Sequence, residues 1–272
     1  MKQEEERRIQ MTSTSASELS GERVFLASSA LLFIASAAGT IYWCSAMPGG
    51  MVMPGGWTMS MMWMRMPGAS LLGAAASFMG MWLVMMTAMM LPSLLPMLLI
   101  YRRSIRCLDE TRLGWPTALA AAGYFFVWAV FGVAAYTIGL VLVAAEMRWP
   151  ALARSVPIAI GVVVLLAGSI QLTAWKACEL TSCPNASAGD SLSPDARSAW
   201  RHGLRLGVHC SLCCSGLMTV LLVTGVMSLG VMVLIAALIT VERFAPRPAR
   251  AARVTGVVVM AAAVLMIARA LT

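Results

Sequence analysis

Residues 209–218 read HCSLCCSGLM and put an imidazole, three thiols and a thioether at the entrance of an otherwise apolar stretch. All are soft or borderline metal donors. On a helix, Cys210, Cys213 and Cys214 stand at i, i+3 and i+4, and Met218 follows Cys214 by four, so the spacing predicts one shared face. His209 lies four before Cys213 and is offset by one residue. Such a set suits a two- or three-coordinate thiolate site. Structural zinc asks for four ligands, often from two separated pairs. The second pair would be Cys178 and Cys183 in WKACELTSCPN, and that loose spacing leaves zinc as the second choice of metal. The alternative is that helical cysteines pack as small apolar residues, which is how Cys44 and Cys107 read.

Methionine points to the same chemistry. Of 23 methionines, 15 lie between Met47 and Met97. The segment MPGGMVMPGGWTMSMMWMRMPG (47–68) repeats Met-Pro-Gly-Gly at 47–50 and 53–56, and it carries eight methionines and no histidine. A thioether has no titratable proton and favours Cu(I), whereas zinc and Cu(II) favour imidazole, so monovalent copper is the metal this loop would bind. Adaptable apolar packing by methionine is the other reading. The span after it, MGMWLVMMTAMMLP (79–92), sets 82, 85, 86 and 89 on one face and 79, 83, 86 and 90 on another. Met85, Met86, Met89 and Met90 therefore form a broad stripe, which again fits packing as well as ligation. Pro92 and Pro96 are expected to bend this helix and free backbone carbonyls inside the bundle.

The elements that must position these donors are membrane spans. The chain has 272 residues, 60% of them hydrophobic and 12% charged, with a mean hydropathy of +0.81. Its apolar share is above, and its charged share below, that of soluble domains. Runs near the roughly 20 residues needed to cross a bilayer fall at 24–44, 71–100, 116–145, 156–176 and 254–271. The region 204–241 is too long for one crossing and just long enough for two short ones, with Gly225 and Gly230 as candidate turns. The expected fold is an all-α, polytopic transmembrane helical bundle of about seven spans, or six if 204–241 is not a full hairpin. It forms a single transmembrane domain over 23–272, with an external Met-rich loop at 45–70 and a disordered cytoplasmic tail at 1–22.

With the N-terminus cytoplasmic and 204–241 crossing twice, sixteen of the 20 Lys and Arg fall on the cytoplasmic side, and only Arg65, Arg148, Arg154 and Arg269 fall outside. This is the positive-inside pattern of a multi-pass protein of the bacterial inner membrane. It accounts for the net charge of +8 without nucleic acid. All 12 acidic residues lie in the tail, loops or span ends. A proton-driven carrier usually keeps an intramembrane relay, and no acid/base pair, Ser/His/Asp set or phosphate loop can be assembled. The chain reads as a binding protein rather than an enzyme.

Counting about 1.5 Å per residue from the cytoplasmic ends puts Met86 and Met90 at the depth of Met218 and the thiols. A ladder of soft donors then runs from the external loop through Met86, Met89, Met90 and Met218 to Cys213, Cys214, Cys210 and the Cys178/Cys183 loop. Along it Cu(I) could change partners without being hydrated. Two rival classes share some of these features. A membrane thiol-disulfide oxidoreductase would want its thiols toward the oxidising exterior. A small-solute permease with Met-rich packing would tolerate Cys-to-Ser changes.

The segments MWLVMMTAMMLPSLLP (81–96), QLTAWKACELTSCPN (171–185), GLRLGVHCSLCCSGLM (203–218) and VER (241–243) resemble a bacterial family of predicted metal-binding integral membrane proteins, a domain of unknown function. One of its members is associated with copper supply to a tyrosinase. The resemblance covers most of the chain from about residue 70 onward and implies copper delivery, metallochaperone-like, to a copper-requiring recipient protein. Carried onto this chain, it implies Met85, Met86, Met89, Met90, Cys178, Cys183, Cys210, Cys213, Cys214 and Met218 as ligands. Where family members have an aromatic-rich Trp-Ala-Leu-Met after the paired cysteines, Ser215 and Gly216 stand here.

Overall fold

The computed structural model describes residues 2–46, 50–52, 58–60, 70–106, 113–177 and 195–271. Its helices are α1 (Lys2–Ala46), α2 (Leu71–Arg106), α3 (Gly114–Arg148), α4 (Pro150–Gln171), α5 (Ala196–Thr224), α6 (Leu229–Phe244) and α7 (Pro248–Leu271). Six of them, all but α6, are long and apolar enough to cross a membrane. The protein is a multi-pass membrane protein built as a helical bundle.

Each apolar run of span length becomes one helix, the longer 204–241 region becomes two, and local chemistry sets the breaks. Between α3 and α4, Trp149 is extended and Pro150 opens the next helix, as expected for a residue that precedes proline and a proline at the first helical position. The 204–241 region is a helical hairpin. Gly225 closes α5 with φ +132°, a left-handed conformation that glycine reaches without a Cβ clash. Its N–H bonds Leu221 O at 3.1 Å, and Ser228 N–H returns to Gly225 O at 3.1 Å. Gly230, the other candidate turn, lies inside α6. At 16 residues α6 is about 24 Å long, short of the roughly 30 Å hydrocarbon layer.

The helix of α1 begins at Lys2. Within the Met-rich loop, Gly50–Val52 and Thr58–Ser60 pair as a short antiparallel ribbon, Met51 opposite Met59. The rest of that loop, with the second Met-Pro-Gly-Gly unit, lies outside the described residues, as do Cys107, Cys178 and Cys183.

The core sits where α2, α3 and α5 meet. Helices α3 and α5 pack most closely, because small residues on α5 recur every four positions at Ala199, Gly203 and Gly207. A Cβ built on Gly203 would stand 2.1 Å from Ala120 O, and one on Gly207 would stand 2.9 Å from the Val127 side chain. These contacts run the two helices parallel, 120 beside 203 and 127 beside 207. Helix α2 joins α3 in the opposite sense. Trp82 Nε1 donates to Trp128 O at 2.9 Å, with the indole lying where a Cβ on Gly132 would clash, while Phe78 meets Tyr136 with ring centroids 4.7 Å apart. Phe126, Val130, Val133, Ile138 and Val141 on the outer side of α3 are exposed, as befits a face turned to lipid.

Candidate metal centre

Because α2 is antiparallel to α3 and α3 is parallel to α5, α2 runs antiparallel to α5. At the start of α5, His202 stacks on Tyr101 near the end of α2, with centroids 4.6 Å apart. Rising about 1.5 Å per residue from these contacts, Met85, Met86, Met89 and Met90 share the level of Cys210 to Met218 to within about two turns. All four methionines are buried, and with Cys210, Cys214, Leu217 and Met218 they belong to one continuous core cluster. The thioether stripe and the thiols of α5 thus occupy one slab of the bundle interior. Met79 and Met97 pack against its two ends.

The thiols are set more finely than their spacing suggested. Cys210 and Cys214, one turn apart, have their Sγ atoms 4.0 Å from each other. Cys214 is also within side-chain hydrogen-bonding reach of Cys213. Cys213 does not share the face of the other two, because one residue turns a helix by about 100°. It is buried against Ala252 of α7, outside the main cluster. His209 is half-buried on the flank of α5 and outside the core. Cys210, Cys214 and Met218 therefore belong to the core cluster that also holds the methionine stripe, with Cys213 outside it.

Polar groups surround this sulfur cluster. The hydroxyl of Tyr124 on α3 donates to Cys210 Sγ at 3.1 Å, both residues fully enclosed. Lys176 follows α4 in a single helical turn at 174–177, and its Nζ donates to the carbonyl of Cys213 and pairs with Glu242 Oε2 at 3.0 Å. The two side chains are 2% and 3% exposed. Gln171 Nε2 donates to Glu242 Oε1 at 3.2 Å, and Thr255 of α7 also hydrogen-bonds Glu242. Next in sequence, Arg243 donates to Met97 Sδ at 3.8 Å. The α5–α6 hairpin explains this placement. Residues whose numbers are symmetric about the turn face each other, so Glu242 and Arg243 return to the level of Cys210 and the residue after it.

Lys176 and Glu242 are thus a buried ion pair, whereas their positions at span ends read as ordinary topology charges. Their partnership joins segments distant in the sequence and leaves no local spacing to detect. Tyr124 sits in GYFFVW, 86 residues from the thiol it contacts, so no local spacing links the two. Among the described residues no group of three or more His, Cys, Asp and Glu side chains is arranged to hold a metal ion. The donors gathered here are instead two facing thiols, a third thiol behind them, and thioethers.

A family model described as PpoB2, a copper chaperone, matches residues 79–266, beginning in the methionine stripe and taking in the thiols and the Lys176–Glu242 pair. The chain belongs to the PpoB2 copper chaperone family. No curated protein and no solved structure matches it. Copper is the metal this family membership brings to the chain, and the donors in the bundle interior fit it. Thiol and thioether suit a soft ion, and the hard carboxylates that would serve magnesium or calcium are missing among them.

Proposed function

We propose that the chain binds Cu(I) inside the membrane on Cys210 and Cys214, with Cys213, Met218 and the stripe Met85, Met86, Met89 and Met90 as further stations, and hands it to a copper-requiring recipient protein. The observation that carries this reading is the convergence of the α5 thiols and the α2 thioethers in one buried core of a copper chaperone family member. Two sulfurs 4.0 Å apart, each about 2.3 Å from a shared ion, subtend an angle near 120°, which suits a three-coordinate site completed by a thioether. Cu(I) on two thiolates carries one negative charge, and Arg243, which the hairpin brings back to the level of Cys210, supplies positive charge at that depth. Burial of all three thiols favours metal handover over disulfide exchange, which needs an exposed thiolate. No chemical conversion is involved; the activity is ligand exchange. The reading includes a bacterial inner-membrane location with a cytoplasmic N-terminus, on the strength of the sixteen basic residues that this orientation puts inside. It also takes α6 as a short seventh crossing.

The test is metal analysis with X-ray absorption on protein purified under reducing, copper-supplemented conditions, wild type beside the triple variant Cys210→Ser, Cys213→Ser, Cys214→Ser. Wild type should carry one or more equivalents of Cu(I) with sulfur neighbours, and the triple variant should lose them. Equal stoichiometry in the two would remove the cysteines from the mechanism.

A further inference from the structure

Cys210 and Cys214 look equivalent in sequence, but their surroundings differ. Cys210 Sγ receives the hydroxyl of Tyr124 at 3.1 Å, whereas the sulfur neighbours of Cys214 are the thiols of Cys210 and Cys213. The approach that makes this contact is fixed by backbone. Gly123 lies against Trp200 O, and Gly203 and Gly207 lie against Ala120 O and Val127, so the α3–α5 spacing has no slack there. The Tyr124 ring is held edge-on by Phe125, centroids 5.3 Å apart at 89°. The ring is fully buried, and its hydroxyl is aimed at one of two otherwise similar thiols of the proposed site.

We propose that Tyr124 is a positioning residue that makes Cys210 the labile arm of the site, leaving Cys214 as the arm that retains the ion; this rests on the Cu(I) reading above. A hydrogen bond to a thiolate draws charge from the sulfur, weakens its donation to the metal and stabilises it once it has left, as partners outside the ligand set tune metal ligands in general. In handover, the Cu–S bond to Cys210 breaks with its electron pair returning to that sulfur, and a bond from an acceptor thiolate or chelator donor forms. Copper stays monovalent, and no proton or electron is exchanged. The Tyr124 O–H meets the departing charge without moving, because it already points at Cys210.

The experiment uses the full-length chain in nanodiscs, loaded with Cu(I), and follows transfer to bathocuproine disulfonate by stopped-flow absorbance. Tyr124→Phe keeps the ring and removes the donor. Its copper stoichiometry should equal that of wild type, while transfer slows on the order of tenfold, as suits loss of a charge-assisted hydrogen bond. In a Cys210→Ser background the same change should leave the rate unaltered, because its target sulfur is gone. A fluorinated tyrosine at 124 keeps the shape and strengthens the donor, and it should speed transfer; it also serves where Tyr124→Phe fails to fold. Wild-type rates for Tyr124→Phe, or an equal slowing in the Cys210→Ser background, overturn the assignment of Tyr124 while leaving Cu(I) binding intact. Wild-type protein that takes up no copper overturns both.

Discussion

The Lys176–Glu242 pair offers a large perturbation of stability in the bundle. The charges are 3.0 Å apart and both are buried, so at an effective dielectric of about 20 their attraction is about 5 kcal/mol. Desolvation offsets most of that, but removing one partner strands the other charge, and such truncations cost about 3–5 kcal/mol. Glu242→Gln also disturbs the Gln171 contact, and Lys176→Met deprives the Cys213 carbonyl of a donor. Each single change should therefore destabilise by about 3–5 kcal/mol. The pair Lys176→Met with Glu242→Leu leaves no charge behind and should recover about half or more of the loss, since apolar replacements of buried ion pairs are often neutral. Unfolding of the purified protein by added SDS, followed by circular dichroism, measures all three. Single changes within about 0.5 kcal/mol of wild type, the usual range for surface sites, would falsify the description of these groups as enclosed.

Two further outcomes follow from the packing and the donor set. Gly203→Ala would put a Cβ 2.1 Å from Ala120 O, forcing α3 from α5, so it should cost at least about 2 kcal/mol and expose Cys210 to alkylation by a membrane-permeant maleimide; an inert Gly203→Ala would contradict the close approach. Replacing Met85, Met86, Met89 and Met90 singly with Leu conserves volume and should change stability by less than about 1.5 kcal/mol; as copper stations they should nevertheless slow loading of the thiols, measured by rapid-quench copper uptake, and unchanged uptake in all four would leave them as packing alone.

What the sequence made legible and what it did not divide along physical lines. An apolar run of span length declares a helix by itself, so α2, α3, α4, α5 and α7 follow from composition, and the hairpin at Gly225 follows from a length that fits no single crossing. The thioether stripe and the Cys210, Cys214, Met218 face are spacings within one helix, and their burial together was readable from depth. Cys213 shows the limit of that method, since i+3 and i+4 differ by a rotation large enough to place it against α7. Of the polar surround, Gln171, Lys176, Glu242 and Arg243 lie in the family-like segments 171–185 and 241–243, but their roles and that of Tyr124 arise only through pairing across helices, which no spacing declares.

That surround also supports the proposed copper site over plain packing of the sulfur-rich core. Methionine and cysteine fill space well in any membrane bundle, and a core of that kind has no use for enclosed charge, which is costly in hydrocarbon. Here a lysine, a glutamate and a part-buried arginine are gathered at the level of the thiols, although the span ends could have left all three in water. Lys176 holds the carbonyl of a cysteine, Arg243 touches a methionine sulfur, and Tyr124 holds a cysteine sulfur. A packing core would shed such groups. A site that must hold an ion on thiolates and then release it needs fixed positive charge and fixed donors beside the sulfur, in place of the water that the membrane excludes.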